Sequence, residues 1–95
     1  MLTLKEISDY MENVNDWSLE GEMIVRDFLF ANFIEAIDFV NKVGMIAEKH
    51  SHHPDIMITY NRVRISLTTH SVKGLTKTDF DMAEEIEKIF SGAAT

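Results

Sequence analysis

Between positions 55 and 69 the chain alternates apolar and polar residues twice, with one short turn between the runs. Ile56, Ile58 and Tyr60 alternate with Asp55, Met57 and Thr59; Val63, Ile65, Leu67 and Thr69 then alternate with Arg62, Arg64, Ser66 and Thr68. A period of two is the signature of a half-buried strand. Two such runs around a tight turn at Asn61-Arg62 form an antiparallel hairpin, because only an antiparallel pair can be joined so briefly. If Tyr60 faces Val63, facing positions sum to 123, and His53 lies opposite His70. This hairpin requires the rest of the chain to supply a layer that covers its apolar side.

The remaining periodicity supplies that layer. Thr3-Leu4-Lys5-Glu6 is a capping box and opens a helix to about Met11, with Leu4, Ile7, Tyr10 and Met11 inward. Asn13 to Asp16 is turn-like. Trp17 and Leu19 alternate with Ser18 and Glu20, Gly21-Glu22 turns the chain, and Met23 to Phe30 is rich in β-branched and aromatic residues; these make a second hairpin. Asn32 with Glu35 opens a second helix, whose apolar series runs Phe33, Ile37, Val40, Gly44 and Ala47, joined by Ile34, Val43 and Ile46. It ends near His50, because Pro54 forces the chain before it out of the α region. Thr76 and Asp79 cap a third helix with Phe80, Ala83, Ile86 and Phe90 on one face. The order α-β-β-α-β-β-α defines an α+β fold: a two-layer domain, residues 1–95, with a four-stranded antiparallel sheet covered on one face by three helices. The opposite face carries Arg62, Arg64, Ser66 and Thr68, free for water or a partner.

Composition excludes several functions. With no cysteine there is no disulfide scaffold, thiolate zinc site or cysteine nucleophile. Nine Lys and Arg against sixteen Asp and Glu leave a net charge of −7, the wrong sign for a direct nucleic-acid surface. No run reaches the length of a membrane span, and the first ten residues lack the apolar core of a signal peptide. A cytoplasmic location fits these features.

All four histidines, His50, His52, His53 and His70, fall between positions 50 and 70. The hairpin brings His52, His53 and His70 to one end of the sheet, next to the loop before the third helix, where Asp79 is close enough to approach them. Imidazoles supply both an acid and a base near neutral pH. Metal ligation is the rival reading, although His-x-His-His at a kinked junction lacks the i, i+4 spacing that aligns two ligands on a helix. Asp79 is also accounted for as a capping acid. Glu48 reads as a solvated helix end, Glu84, Glu85 and Glu87 as a solvated face, Trp17, Tyr60 and the phenylalanines at helical spacing as core, and the methionines as core filler.

Taken together, Glu48, His52-His53-Pro54, Tyr60, His70 and Asp79 resemble the pattern of the pterin-4a-carbinolamine (4a-hydroxytetrahydrobiopterin) dehydratases. Asp16-Trp17, the Phe33–His50 helix, Thr68-Thr69-His70 and Gly74-Leu75-Thr76 extend the likeness over nearly the whole chain. The resemblance implies the same fold and the dehydration of a 4a-hydroxy-tetrahydropterin to the quinonoid dihydropterin, without metal or organic cofactor. It implies a place in tetrahydrobiopterin recycling and a functional link to aromatic amino acid hydroxylases. It assigns His52, His53, His70 and Asp79 to catalysis. Our own mechanistic expectation takes His52 and His70 as the opposed acid–base pair, with His53 binding and polarising. Ser51, His52, His53, Thr68, Thr69, His70 and Ser71 become the pterin-binding positions. A homodimer or homotetramer is also implied. Animal members double as dimerisation cofactors for a homeodomain transcription factor, so a protein-binding coactivator module is the alternative, beside a small His-ligated metalloprotein. The chain departs from the pattern at Ile56, where many members carry an aromatic residue, and at Val72, where some animal members have cysteine.

Overall fold

The computed structural model describes residues 1–92; the last three positions of the expected domain lie outside the described residues. The elements are α1 (Leu4–Met11), β1 (Ser18–Glu20), β2 (Met23–Leu29), α2 (Phe33–His50), β3 (Asp55–Thr59), β4 (Arg62–Leu67), a 3-10 turn (His70–Val72) and α3 (Lys77–Ser91). One antiparallel sheet has the strand order β1-β2-β4-β3. The sequence order and the α+β class are those expected, and no helix among the described residues is long and apolar enough to cross a membrane.

Local chemistry fixes the ends of these elements. The Thr3 hydroxyl accepts the Glu6 N–H at 3.2 Å, and the Glu6 carboxylate accepts the Thr3 N–H at 2.9 Å. The Asn32 side chain caps α2 through the Glu35 N–H at 2.9 Å. Gly21, at φ +61°, opens the first hairpin turn. Ser51 ends α2 in the left-handed region at φ +50°, and its N–H and that of His52 donate to the Glu48 and Ala47 carbonyls.

The second hairpin turns at Tyr60-Asn61, earlier than expected. Thr59 pairs with Arg62 and Ile58 with Val63, so facing positions sum to 121. Tyr60 takes the left-handed conformation at φ +52° and is 65% exposed, so it is a turn residue and not core. Asn61 is used differently: its carbonyl accepts the Phe30 N–H at 2.8 Å and its side-chain amide donates to the Phe30 carbonyl at 3.0 Å, pinning the turn to the end of β2. His53 therefore does not face His70; the ladder starts only at Asp55 with Ser66. A register shift of two preserves the alternation, and Val63, Ile65 and Leu67 are fully buried as read.

The core lies between the sheet and the helices. Ile24, Phe28, Val63, Ile65 and Leu67 meet Ala36, Phe39, Val43, Ile46 and Ala47 of α2 and Phe80, Met82, Ala83 and Ile86 of α3. Of the apolar series read on α2, Val43, Ile46 and Ala47 are buried, Ile37, Val40 and Gly44 are half-buried, and Phe33 and Ile34 are exposed; Ala36 and Phe39 complete the buried stripe. Leu4 also points out, Leu19 is half-exposed at the edge, and of the methionines only Met82 is fully buried while Met1, Met45 and Met57 are exposed. α1 packs through Ile7, Tyr10 and Met11, the Tyr10 ring stacking on Phe80 at 5.2 Å.

The acidic run on α3 is not a solvated face. Arg26 stands on the covered side of the sheet, its guanidinium over the Phe28 and Phe90 rings. It pairs with Glu87, whose other carboxylate oxygen accepts the Trp17 indole N–H at 2.8 Å. Glu85 is occupied too, by Lys49 and His50 of α2. On the open side, Arg64 forms a bidentate pair with Asp27 at 2.9 and 3.2 Å, which holds the Asp27 carboxyl below its usual range.

Candidate active site

The chemistry concentrates where α2 ends, β4 ends and α3 begins. Asp79 is the one fully buried charged residue among those described. It sits in the first turn of α3, where its Oδ2 accepts the Thr76 N–H at 2.9 Å, the capping role read from sequence. The same oxygen accepts the Thr69 hydroxyl at 2.7 Å, and the Thr69 and Thr76 hydroxyls lie 2.8 Å apart. Its Oδ1 lies 2.6 Å from His52 Nε2. A carboxylate withdrawn from water needs such partners, and no buried side-chain N or O among the described residues lacks one.

Two consequences follow for His52. A carboxylate at Nε2 favours the Nε2–H tautomer and leaves the lone pair on Nδ1, which has no hydrogen-bond partner among the described residues. The same contact also holds the ring in place. His52 is held but accessible, with a side chain 15% exposed.

The other candidate residues differ in their surroundings. His70 follows Thr69 directly and opens the exposed 3-10 turn; its ring has no polar partner among the described residues. The turn exists because the chain doubles back, with Thr69 bridged to Gly74 and Lys73 left-handed at φ +54°; Gly74 hinted at the break, but nothing in the sequence specified its form. His53, also exposed, takes Glu48 at 2.6 Å, so Glu48 is an exposed partner of a histidine and not merely solvated. Thr68 is committed elsewhere, donating to the Glu22 carbonyl at 2.6 Å. Ser51 and Ser71 are exposed. His50 does not join the group: its Nε2 lies 2.5 Å from Glu85. Clefts of about 350 and 260 Å³ lie elsewhere, the first between Phe39 and Phe90 and the second around Met1 and Leu75. Neither cleft is lined by His52, His53 or His70.

The fold and the Asp79–His52 pair define a class: a small two-layer α+β protein with a buried carboxylate gripping a histidine at the sheet end. The family described as Pterin 4 alpha carbinolamine dehydratase matches residues 1–89. A protein of Chloroflexus aggregans is 52% identical over 89 residues, covering 93% of this chain and 95% of its own length. One of Sulfurisphaera tokodaii is 43% identical over 90 residues, covering 95% and 97%; both bear the name pterin-4-alpha-carbinolamine dehydratase provisionally. The crystal structure of a transcriptional coactivator/pterin dehydratase from Brucella melitensis superposes with a TM-score of 0.88 at 37% identity, over 93% of this chain and 96% of that one. A pterin dehydratase-like protein described as a RuBisCO assembly factor in the alpha-carboxysome gives 0.64 at 16% identity, over 78% and 86%, a likeness of fold alone. The chain belongs to the pterin-4-alpha-carbinolamine dehydratase family.

Proposed function

We propose that this protein dehydrates a 4a-hydroxy-tetrahydropterin to the quinonoid dihydropterin by histidine acid–base catalysis. The observation that carries the reading is the shared carboxylate: Asp79 takes His52 on one oxygen and Thr69, the residue before His70, on the other. One buried anion thus ties together the two backbone segments that bear the proposed acid and base.

The reaction needs one proton delivered and one removed. The His70 imidazolium protonates the 4a-hydroxyl, and the C4a–O bond breaks as the N5 lone pair forms the C4a=N5 double bond. His52 Nδ1 receives the N5 proton, and Asp79 stabilises the resulting imidazolium. Water and the quinonoid dihydropterin leave, and both histidines regain their starting states by exchange with solvent. No electron is transferred. His53, Ser51, Thr68, Thr69 and Ser71 remain pterin-binding candidates. Thr68 and Thr69 contribute as fixed points beside the proposed site, since each hydroxyl already has a partner.

The same reading extends to a cytoplasmic homo-oligomer acting in tetrahydrobiopterin recycling beside an aromatic amino acid hydroxylase. The Brucella melitensis protein is described as a transcriptional coactivator as well as a dehydratase, and a coactivator role is the second reading. A single-turnover assay with freshly generated 4a-hydroxy-tetrahydropterin separates them. The dehydratase accelerates its decay over the spontaneous rate, with or without chelator, and His52→Ala and His70→Ala lose most of that acceleration. Decay at the spontaneous rate in the presence of folded protein overturns the enzymatic reading. Loss of activity in chelator points to a metalloprotein.

A further inference from the structure

His50 and His52 are two residues apart, yet they reach different carboxylates on α3. His50 Nε2 lies 2.5 Å from Glu85 Oε2 and Lys49 Nζ lies 2.6 Å from Glu85 Oε1, while His52 reaches Asp79. Asp79 and Glu85 are six residues apart on one helix, about 9 Å along its axis at 1.5 Å per residue. The end of α2 is therefore fastened to α3 at two separated points.

We propose that Glu85, with His50, is a positioning latch that fixes the α2 terminus and thereby the direction of the His52 ring; this rests on the acid–base reading above. His52 lies beyond the last helical turn, past a residue in the left-handed conformation. Helix ends fray: Ile46 and Ala47 are packed in the core, but beyond them the chain carrying His52 is left, apart from Glu85, with its bonds to the Glu48 and Ala47 carbonyls and the Asp79 contact. The second attachment restrains that fraying. Glu85 is suited to the task, because its side chain is only 30% exposed and both oxygens are engaged. Burial pushes its carboxyl up, but the Lys49 and His50 hydrogen bonds outweigh it and hold the group below its usual range. Lys49 and His50 also lie in the last turn of α2, where the helix dipole favours cations. Facing them around a cleft of about 320 Å³ are Asp81, Glu84 and Lys88 of the same helix as Glu85. A neutral His50 carrying its proton on Nε2 still donates to Glu85, so the latch is held by a hydrogen bond as well as by charge.

The test combines kinetics with nitrogen-15 spectra of the histidine rings in Glu85→Ala, Glu85→Gln and His50→Gln. Glu85→Ala is expected to lower kcat about tenfold with KM within about twofold, the pattern of misplaced chemistry and not of lost binding. The His52 ring signals shift with it. His50→Gln, which keeps a donor facing Glu85, retains most of the rate. Glu85→Gln keeps the size of the side chain and stands in if the alanine variant does not fold. Unchanged His52 ring signals in folded Glu85 variants overturn the latch, even if the melting temperature falls. The spectra decide this whether or not wild-type protein turns over the carbinolamine, so failure of the latch and failure of the enzymatic reading are distinguishable.

Discussion

His52 and Asp79, 27 positions apart, meet with 2.6 Å between ring nitrogen and carboxylate oxygen, and the carboxylate is wholly buried. The pair joins the end of one helix to the start of another. Its partners are arranged so that one Asp79 oxygen is filled by Thr69 and Thr76. The other is left for the histidine.

Asp79→Asn is expected to keep the fold and lose the charge behind His52. The amide still accepts from Thr69 and Thr76 through its oxygen, but it offers no anion to stabilise the imidazolium. The turnover rate should fall about 10²-fold, the lower end of what positioned proton transfer contributes. Asp79→Ala strands the Thr69 hydroxyl and the Thr76 N–H and should cost about 1–3 kcal/mol of stability besides. Stopped-flow rates with urea unfolding separate the effects, and an Asn variant of wild-type activity would sink the assignment.

Thr69 provides a sharper discrimination. The likeness to relatives offers it as a pterin-binding position, whereas its hydroxyl is hydrogen-bonded to Asp79 and Thr76. Thr69→Val should therefore lower kcat and leave KM nearly unchanged, and Thr69→Ser should restore the rate. A rise in KM with kcat preserved would return Thr69 to direct substrate contact.

The sequence carried most of the fold because alternation survives errors of register. Placing the turn at Asn61-Arg62 instead of Tyr60-Asn61 shifts every pair by two positions and moves no side chain to the wrong face. It does break the inference that His53 faces His70, which needed the true register. Asp79 was legible as a cap and as a neighbour of the histidines, since a capping box fixes a residue within a turn. The partner of His50 was not legible. Periodicity shows that Glu85 is on α3 but not which polar residues of α2 lie across from it. Nothing in the sequence sets Arg26 apart, and its surroundings of Glu87, Phe28 and Phe90 come only from the packing of α3 on the sheet. On α2 the later part of the series, Val43, Ile46 and Ala47, is buried as its spacing suggests, but at the start of the helix Ala36 and Phe39 are inward instead of Phe33 and Ile34, because two apolar stripes run there and only packing decides between them.

Stability should fall with acid, and two residues identify part of the loss. The Arg64 hydrogen bonds hold the Asp27 carboxyl below its ordinary 3.8. Glu85 is pushed up by burial, yet the Lys49 and His50 hydrogen bonds bring it below its ordinary 4.5. A carboxyl with a depressed folded pKa binds fewer protons folded than unfolded, so its contribution is complete above the unfolded value and disappears as pH falls through the folded one. Urea unfolding from pH 7 down to pH about 3 should show stability falling below about 4.5. Glu85→Gln and Asp27→Asn should each flatten that fall. Equal slopes in both variants and wild type would remove these pairs from the account.

The half-exposed stripe of α2 leads to the expectation for assembly. Phe33 is 47% exposed, and Ile37, Val40 and Gly44 continue the stripe at partial exposure. Adjacent to it, Ile34 is 67% exposed. Gly44 stands mid-helix at a cost of about 1 kcal/mol relative to alanine, and nothing within 4 Å of a Cβ placed there explains it inside the chain. A second helix lying along the stripe would explain both the exposed apolar side chains and the glycine, which admits close backbone approach. Sedimentation should therefore give a homo-oligomer for the wild type. Ile37→Asp and Gly44→Leu should yield smaller species with unchanged circular dichroism, because neither substitution touches the Asp79 network or the fully buried stripe. Wild-type protein that sediments as a monomer, or variants that assemble as wild type does, would assign the stripe no role in self-association.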